Sequence, residues 1–201
     1  MVNRILSTLL LSLFITSVST DALAQSQNEA AEVRQLLEQR DDEIKEVLGD
    51  AGTLTDTQRD QLKHVVNQGI DFEGMARLAL GDYWGQTPSQ QRDEFVHVFS
   101  EIVRAQSLSN LDVYRSDVSY EGVTVEGDEA EVVTTTIYKE VPTEVRYLLN
   151  RKDGEWRVVD IVLDDVSTAD GYARSFQTVI RKRGFDALMT SLNKKLDSMT
   201  S

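Results

Sequence analysis

The chain has 201 residues, no cysteine and a formal net charge of −13 at pH 7. The missing thiols exclude disulfides, thiol nucleophiles and thiolate metal sites. The negative charge makes nucleic acid an unfavourable partner and disfavours permanent adsorption to an anionic membrane. With 40% hydrophobic residues the chain is nevertheless able to bury a core, as a folded globular domain does.

The first 24 residues predict export. Arg4 supplies a positive start, residues 5–18 are mostly apolar, and Ala22-Leu23-Ala24 has the small-x-small pattern that signal peptidase cuts. The apolar run is shorter than the roughly 20 residues that a membrane-spanning helix needs, although an uncleaved anchor helix is the alternative. We therefore expect a cleaved signal peptide over residues 1–24 and one mature domain over residues 25–201. Export without cysteine favours a bacterial periplasm.

Residues 28–107 have the apolar spacing of helices. A first helix is predicted over about residues 29–48. A second begins at a capping box formed by Thr55 and Gln58 and ends at Gly69. A third covers about residues 72–84, and the Thr87-Pro88-Ser89-Gln90 start signal opens the fourth.

Residues 118–163 change to the alternation of β-strands. Pro142 is expected to interrupt the pattern because it cannot donate to a ladder, and Trp156, Val158 and Val162 are expected to share a face. Two helices follow, the first capped by Ser167 or Thr168 and the second beginning after Gly184. The prediction is an α+β fold, with helices packed over one face of a curved antiparallel sheet. Its predicted strands are Val118–Glu126, Ala130–Tyr138, Thr143–Arg151 and Glu155–Leu163.

Catalytic groups are scarce in this sequence. His64 and His97 lie in helical segments without a partner at ligand spacing, so both are interpreted as helix-surface residues. Asp164 and Asp165 are adjacent at a strand end, where aspartate is typical of turns. We expect no catalytic residue, no metal site and no cofactor.

One helical segment is specific to a family. Residues 71–84 resemble the D-F-x-x-M-A-R-x-A-L-G-x-Y-W signature of the MlaC family, also called the toluene-tolerance auxiliary proteins. Residues 87–95 resemble its T-P-x-Q-x-x-x-F continuation, and residues 154–158 its G-x-W-x-V strand. The chain departs from the family pattern at Gly74, where a better helix former is common, and at Asp165, which replaces a glycine. Ala173 stands where many members have arginine, and Arg174 follows one residue later.

The resemblance implies a periplasmic phospholipid carrier with an NTF2-like sheet, a helical cover and an apolar cavity between them. Its implied partners are an inner-membrane ABC transporter with an MCE-domain subunit and an outer-membrane lipoprotein complex. It implies no cofactor, and we expect a monomer. From facing direction and motif membership, nine residues are expected near the acyl chains: Phe72, Met75, Tyr83, Phe99, Tyr147, Leu149, Val158, Tyr172 and Phe176.

Two other functions stay open at this point. An NTF2-like enzyme acting on a small apolar substrate needs a buried acid or base, and Asp160 is the candidate. A structural or adaptor protein needs only a filled core and an acidic docking surface. The aromatic residues fit either a solid core or the wall of a cavity, because ligand sites are concave and largely apolar.

Overall fold

The computed structural model describes residues 20–49, 54–108, 111–138 and 140–200. The predicted signal peptide therefore lies almost wholly outside the described residues. Among those residues, no helix combines the length and the apolar character that crossing a bilayer requires. The helices are α1 (Thr20–Leu48), α2 (Asp56–Gln68), α3 (Phe72–Leu80), α4 (Ser89–Ser107), α5 (Thr168–Arg183) and α6 (Phe185–Thr200).

Along the chain, the five strands of one sheet come after the first four helices and before the last two. The strands lie side by side in chain order, and every neighbouring pair is antiparallel. This arrangement confirms the α+β prediction. Four strands begin and end within two residues of their predicted bounds because alternation and glycine turns mark them. The strands are β1 (Val118–Glu126), β2 (Glu129–Tyr138), β3 (Val141–Lys152), β4 (Glu155–Leu163) and β5 (Val166–Ser167).

Two expectations about element bounds were wrong, and one short strand was missed. Pro142 does not interrupt β3 but pairs with Ile137. The partner β4 reaches β3 only from Val145 onward, so β3 is an edge strand at the proline, where proline is tolerated. The first helix begins at Thr20, because the Ala, Leu and Gln residues before Glu29 continue it without a break. The two-residue β5 is too short for alternation to reveal.

A β-bulge in β4 changes which residues share a face. Leu148 lies opposite Asp160 and Leu149 lies opposite Val158, which leaves Val159 as the extra residue. Because one inserted residue reverses the alternation, Ile161 and not Val162 follows Val158 on the same face. The expectation for Val162 was therefore wrong.

Gly74 permits the bulge to approach α3. A Cβ atom on Gly74 would lie 2.8 Å from Cγ1 of Val159 and 2.7 Å from Oδ2 of Asp71. The departure from the family pattern at this position thus has a steric reason, since the helix and the sheet meet there.

We expect Gly74→Ala to lower the free energy of unfolding by about 1–3 kcal/mol, because overpacking outweighs the better helix propensity of alanine. Gly171→Ala in α5 is the matched control, since nothing lies within 4 Å of its Cβ position. Urea unfolding of both variants measures the difference, and adding Val159→Ala is expected to restore part of the loss. Equal stability of the two alanine variants would contradict the close approach.

Three apolar clusters fill the interior of the described chain. The helical core joins α3, α4, α5 and α6, and in it Phe95 stacks on Phe99 at 5.5 Å while Phe176 meets both rings edge-on. The sheet core joins the first half of α1 to one face of the sheet. The α1–α2 core joins Ile44 and Leu48 to Leu62. Helices are not confined to one face, because α5 starts on the other side of β4.

Candidate functional site

One face of the sheet is apolar and is covered by a single helix. Cross-strand register places Val132, Tyr147 and Ile161 in one row across β2, β3 and β4. Ala130, Leu149 and Val158 form a second row. We call this surface, formed by Ala130, Val132, Tyr147, Leu149, Val158 and Ile161, the covered sheet face. Three residues of α1 pack on it, and we call them the α1 cover: Val33, Leu36 and Leu37.

Weak polar contacts hold the first half of α1 beside the sheet. Glu29 lies 3.4 Å from Arg151, and the guanidinium of Arg34 lies 5.5 Å from the ring centre of Tyr120. Both arginines also have other partners, Asp128 and Glu38. Partly exposed ion pairs of this kind contribute about 0–1 kcal/mol each. The apolar α1 cover therefore supplies most of the attachment.

Beside Tyr147 of the covered sheet face, two further tyrosines, Tyr120 and Tyr114, lie toward the second half of α1. Burial raises the pKa of Tyr147 to about 12, and the carboxylate of Asp41 adds to the shift. Burial raises the pKa of Tyr114 to about 12 as well, and its hydroxyl donates to the carbonyl of Ser107 at 2.9 Å. Burial and nearby carboxylates also raise the pKa of Tyr120. These side chains stay neutral at physiological pH, so each presents an apolar ring with a polar but uncharged hydroxyl group.

The raised tyrosine pKa values make a prediction about stability at high pH. Between pH 10 and about 12 the unfolded chain loses the Tyr147 proton while the folded chain keeps it, so the free energy of unfolding falls as pH rises. Tyr147→Phe is expected to remove one late step from a tyrosinate absorbance titration and to flatten this fall. A Tyr147→Phe titration identical to that of the wild type would contradict the burial of this hydroxyl.

The covered sheet face opens at one end. The next register row runs from Thr134 through Val145 and Leu163 to Val166. Along this row the exposed fraction rises from 0% at Thr134 and 7% at Val145 to 47% at Leu163 and 59% at Val166. Val141, at 58% exposure, lies at the same end of β3. We call Val141, Leu163 and Val166 the apolar rim, since an apolar path leads from them to the interior.

The structure divides the nine residues expected near the acyl chains. Tyr147, Leu149 and Val158 lie on the covered sheet face. Two lie outside the three clusters: Arg104 stacks over the ring of Phe72 at 4.3 Å, and Tyr83 ends a 3₁₀ turn where its carbonyl accepts from the Thr87 hydroxyl. The remaining four belong to the helical core: Met75, Phe99, Tyr172 and Phe176.

Sequence reasoning missed other residues of this site. The α1 cover was recognised as an apolar stripe but not as the partner of the sheet, because periodicity does not say which layer a helix meets. Tyr120 alternates along β1 with Val118, and that alternation was an available signal. Leu163 and Val166 are separated by a two-aspartate turn, so their common row appears only in the register.

Two surface clefts open in the described part of the chain. One, of about 460 Å³, lies between α2 and α4 and is lined by Lys63, His64 and Arg104 among other polar residues. The other, of about 440 Å³, lies between α1 and the β3–β4 turn and is lined mainly by glutamine, glutamate and arginine. Neither is an apolar cavity, since α1 occupies the space over the covered sheet face.

Asp160 is buried and holds the start of α5. Its side chain is 3% exposed and accepts from the backbone N–H of Ala169 at 2.9 Å and from the hydroxyl of Ser167. Ser167 in turn accepts from the N–H of Asp170 and caps the helix. The Asp160 carboxylate therefore stabilises the N-terminus of α5, and it points away from the covered sheet face.

Acid and metal chemistry have little basis in the described residues. Both histidines are exposed on helices, as predicted, and no group of three histidine, aspartate or glutamate side chains among those residues is placed to hold a metal ion. Asp164 and Asp165 form the β4–β5 turn with φ of 44° and 64°. This left-handed region favours glycine, the residue that Asp165 replaces in the family pattern. Asp165 also lies 2.7 Å from Arg146.

A family model and a curated relative point to the same protein family. The family model described as MlaC protein matches residues 38–194. The intermembrane phospholipid transport system binding protein MlaC of Haemophilus influenzae is 23% identical over 132 residues, and the match covers 62% of this chain and 62% of that protein.

A solved structure has the same fold. The phospholipid-binding protein from Ralstonia solanacearum, solved in complex with a phospholipid, superposes with a TM-score of 0.68 at 20% identity. The superposition covers 86% of this chain and 98% of that one.

Proposed function

The chain belongs to the MlaC family, and from that premise we propose that it is a periplasmic carrier that binds phospholipid acyl chains and moves them between membranes. The observation that carries the proposal is an apolar sheet face covered by one helix and continuous with an exposed apolar rim. In this proposal the protein is exported by a signal peptide over residues 1–24. It acts as a monomer without a cofactor and is not an enzyme.

The physical requirement for a carrier is severe. Each methylene costs about 0.8 kcal/mol to expose to water, so a diacyl lipid of about 30 methylenes crosses an aqueous gap only when its chains are buried. The covered sheet face offers matching apolar surface once α1 moves. The first half of α1 is held there by the three apolar side chains of the α1 cover and by a partly exposed ion pair, which supports a displaceable role for it.

We propose a specific path for the acyl chains. They pass the apolar rim, displace the α1 cover and contact Tyr147, Leu149 and Val158. The phosphate-bearing headgroup stays in water, which explains why a dedicated basic pocket is unnecessary. Phe72, Met75, Tyr83, Phe99, Tyr172 and Phe176 contact the chains only if the helical core also parts.

The partners in this proposal follow the family. A relative is named for an intermembrane phospholipid transport system. We propose that lipid is exchanged with an inner-membrane ABC transporter bearing an MCE-domain subunit and with an outer-membrane lipoprotein complex. An ATPase in that system would supply the energy, so the carrier needs only binding and release.

A solid-core adaptor is the competing function, because the described residues form three buried apolar clusters. Native mass spectrometry of protein purified without detergent, followed by lipid extraction, separates the two. The carrier is expected to retain about one phospholipid per chain, and Leu149→Arg is expected to lose it while staying folded by circular dichroism. Val133→Arg, on the opposite face of the sheet, is the control. A lipid-free mass for the wild type under gentle conditions supports the adaptor.

A further inference from the structure

Basic side chains without an ion pair concentrate on the α5–α6 hairpin. Most arginines and lysines elsewhere in the described chain contact a carboxylate, a carbonyl or an aromatic ring, as Arg146 and Lys152 do. Six basic residues of the hairpin are exposed and have no ion pair within the described residues. They are Arg174, Arg181, Lys182, Arg183, Lys194 and Lys195.

This concentration separates the charges of the molecule. Residues 168–200 contain six basic and three acidic side chains, which gives a net charge of +3. Residues 25–167 contain 14 basic and 30 acidic side chains, which gives −16. The molecule therefore has one basic pole on a strongly acidic body.

Helix geometry directs three of these charges away from the helical core: Arg174, Arg181 and Lys194. Arg174 and Arg181 are seven residues apart on α5 and share one side, while Phe176 on the other side is buried in the helical core. After Gly184 the chain reverses, and α6 packs beside α5. Lys194 faces away from the buried Leu188 and Leu192. Burial of the opposite sides leaves these three cations exposed, and Lys182 is exposed beside Arg181.

We propose that the outward face of the α5–α6 hairpin docks the protein on the anionic surface of a phospholipid bilayer. The acidic body repels such a surface from a distance, but at an ionic strength of about 0.15 M charges more than about 8 Å away are largely screened. At contact the nearby cations dominate, since each basic side chain close to an anionic membrane contributes favourably. An orientation that brings the acidic body within this distance is repelled, so the molecule meets the lipid with the hairpin. Docking is consequently transient and has one orientation.

Co-sedimentation with vesicles tests the proposal. Vesicles of equal parts phosphatidylcholine and phosphatidylglycerol are compared with pure phosphatidylcholine, at an ionic strength of about 0.1 M. The wild type is expected to bind only the anionic vesicles. Arg181→Gln with Lys182→Gln is expected to weaken this binding at least about tenfold. Arg59→Gln with Lys63→Gln on α2 alters the net charge equally at another place, so it is expected to bind as the wild type does.

Two results overturn the proposal: no adsorption of the wild type to anionic vesicles, or equal losses in the two double variants. All four side chains are exposed, so both variants are expected to fold. The assay measures adsorption and not cargo, so its outcome is independent of whether the protein carries lipid. Native mass spectrometry of the same samples reports the cargo separately.

Discussion

Asp160→Ala is expected to lower the free energy of unfolding by about 3 kcal/mol. The substitution leaves the buried N–H of Ala169 without its acceptor and deprives the half-buried Ser167 hydroxyl of its partner. An unsatisfied buried donor costs about 1–3 kcal/mol, and loss of an orienting contact at a helix cap adds to that. Urea unfolding measures the loss.

Asp160→Asn is the graded control for this prediction. Asparagine keeps the shape and one acceptor oxygen, so we expect a loss of about 1 kcal/mol. Ser167→Ala should cost about as much as an ordinary cap, near 1 kcal/mol. The double variant Asp160→Ala with Ser167→Ala is expected to lose less than the two single losses together, because they share one bond. Undiminished stability of Asp160→Ala would restore this carboxylate as a candidate base.

The strands were the most predictable part of this fold. Alternation from Val118 to Glu126, with glycine turns at Gly127 and Gly154, marks them from local sequence alone. The bulge was not predictable, since Val158 and Val159 form an apolar pair that either face accepts. Its consequence for Ile161 and for Gly74 depends on tertiary register.

The candidate site was predictable only in part. Tyr147, Leu149 and Val158 share a face through strand alternation and cross-strand register, and the expected site included all three. Phe99 and Phe176 carry the same apolar character, but they pack in the helical core because periodicity does not identify the layer that a helix joins. The role of α1 depends on contacts between distant segments, which composition and spacing do not encode.

Tethering α1 to the sheet is expected to stop lipid exchange. Glu29→Cys and Arg151→Cys place two thiols where an α1–sheet ion pair now stands, 3.4 Å between its charged atoms, in a chain that has no other cysteine. A short bismaleimide joining them prevents the α1 cover from leaving the sheet. Transfer of a fluorescent phospholipid between vesicles should slow at least about tenfold, because only molecules with α1 displaced take up lipid.

A second pair within α1 provides the matched control. Arg34→Cys and Glu38→Cys also remove an ion pair, but their crosslink stays inside the helix and leaves α1 free to move as a unit. This variant should transfer lipid at the wild-type rate. A cleavable crosslinker between positions 29 and 151 should restore transfer when it is cut, since the covered sheet face is then accessible again. Undiminished transfer by the tethered protein would mean that acyl chains reach the interior without moving α1, and the helical core would then be the remaining route.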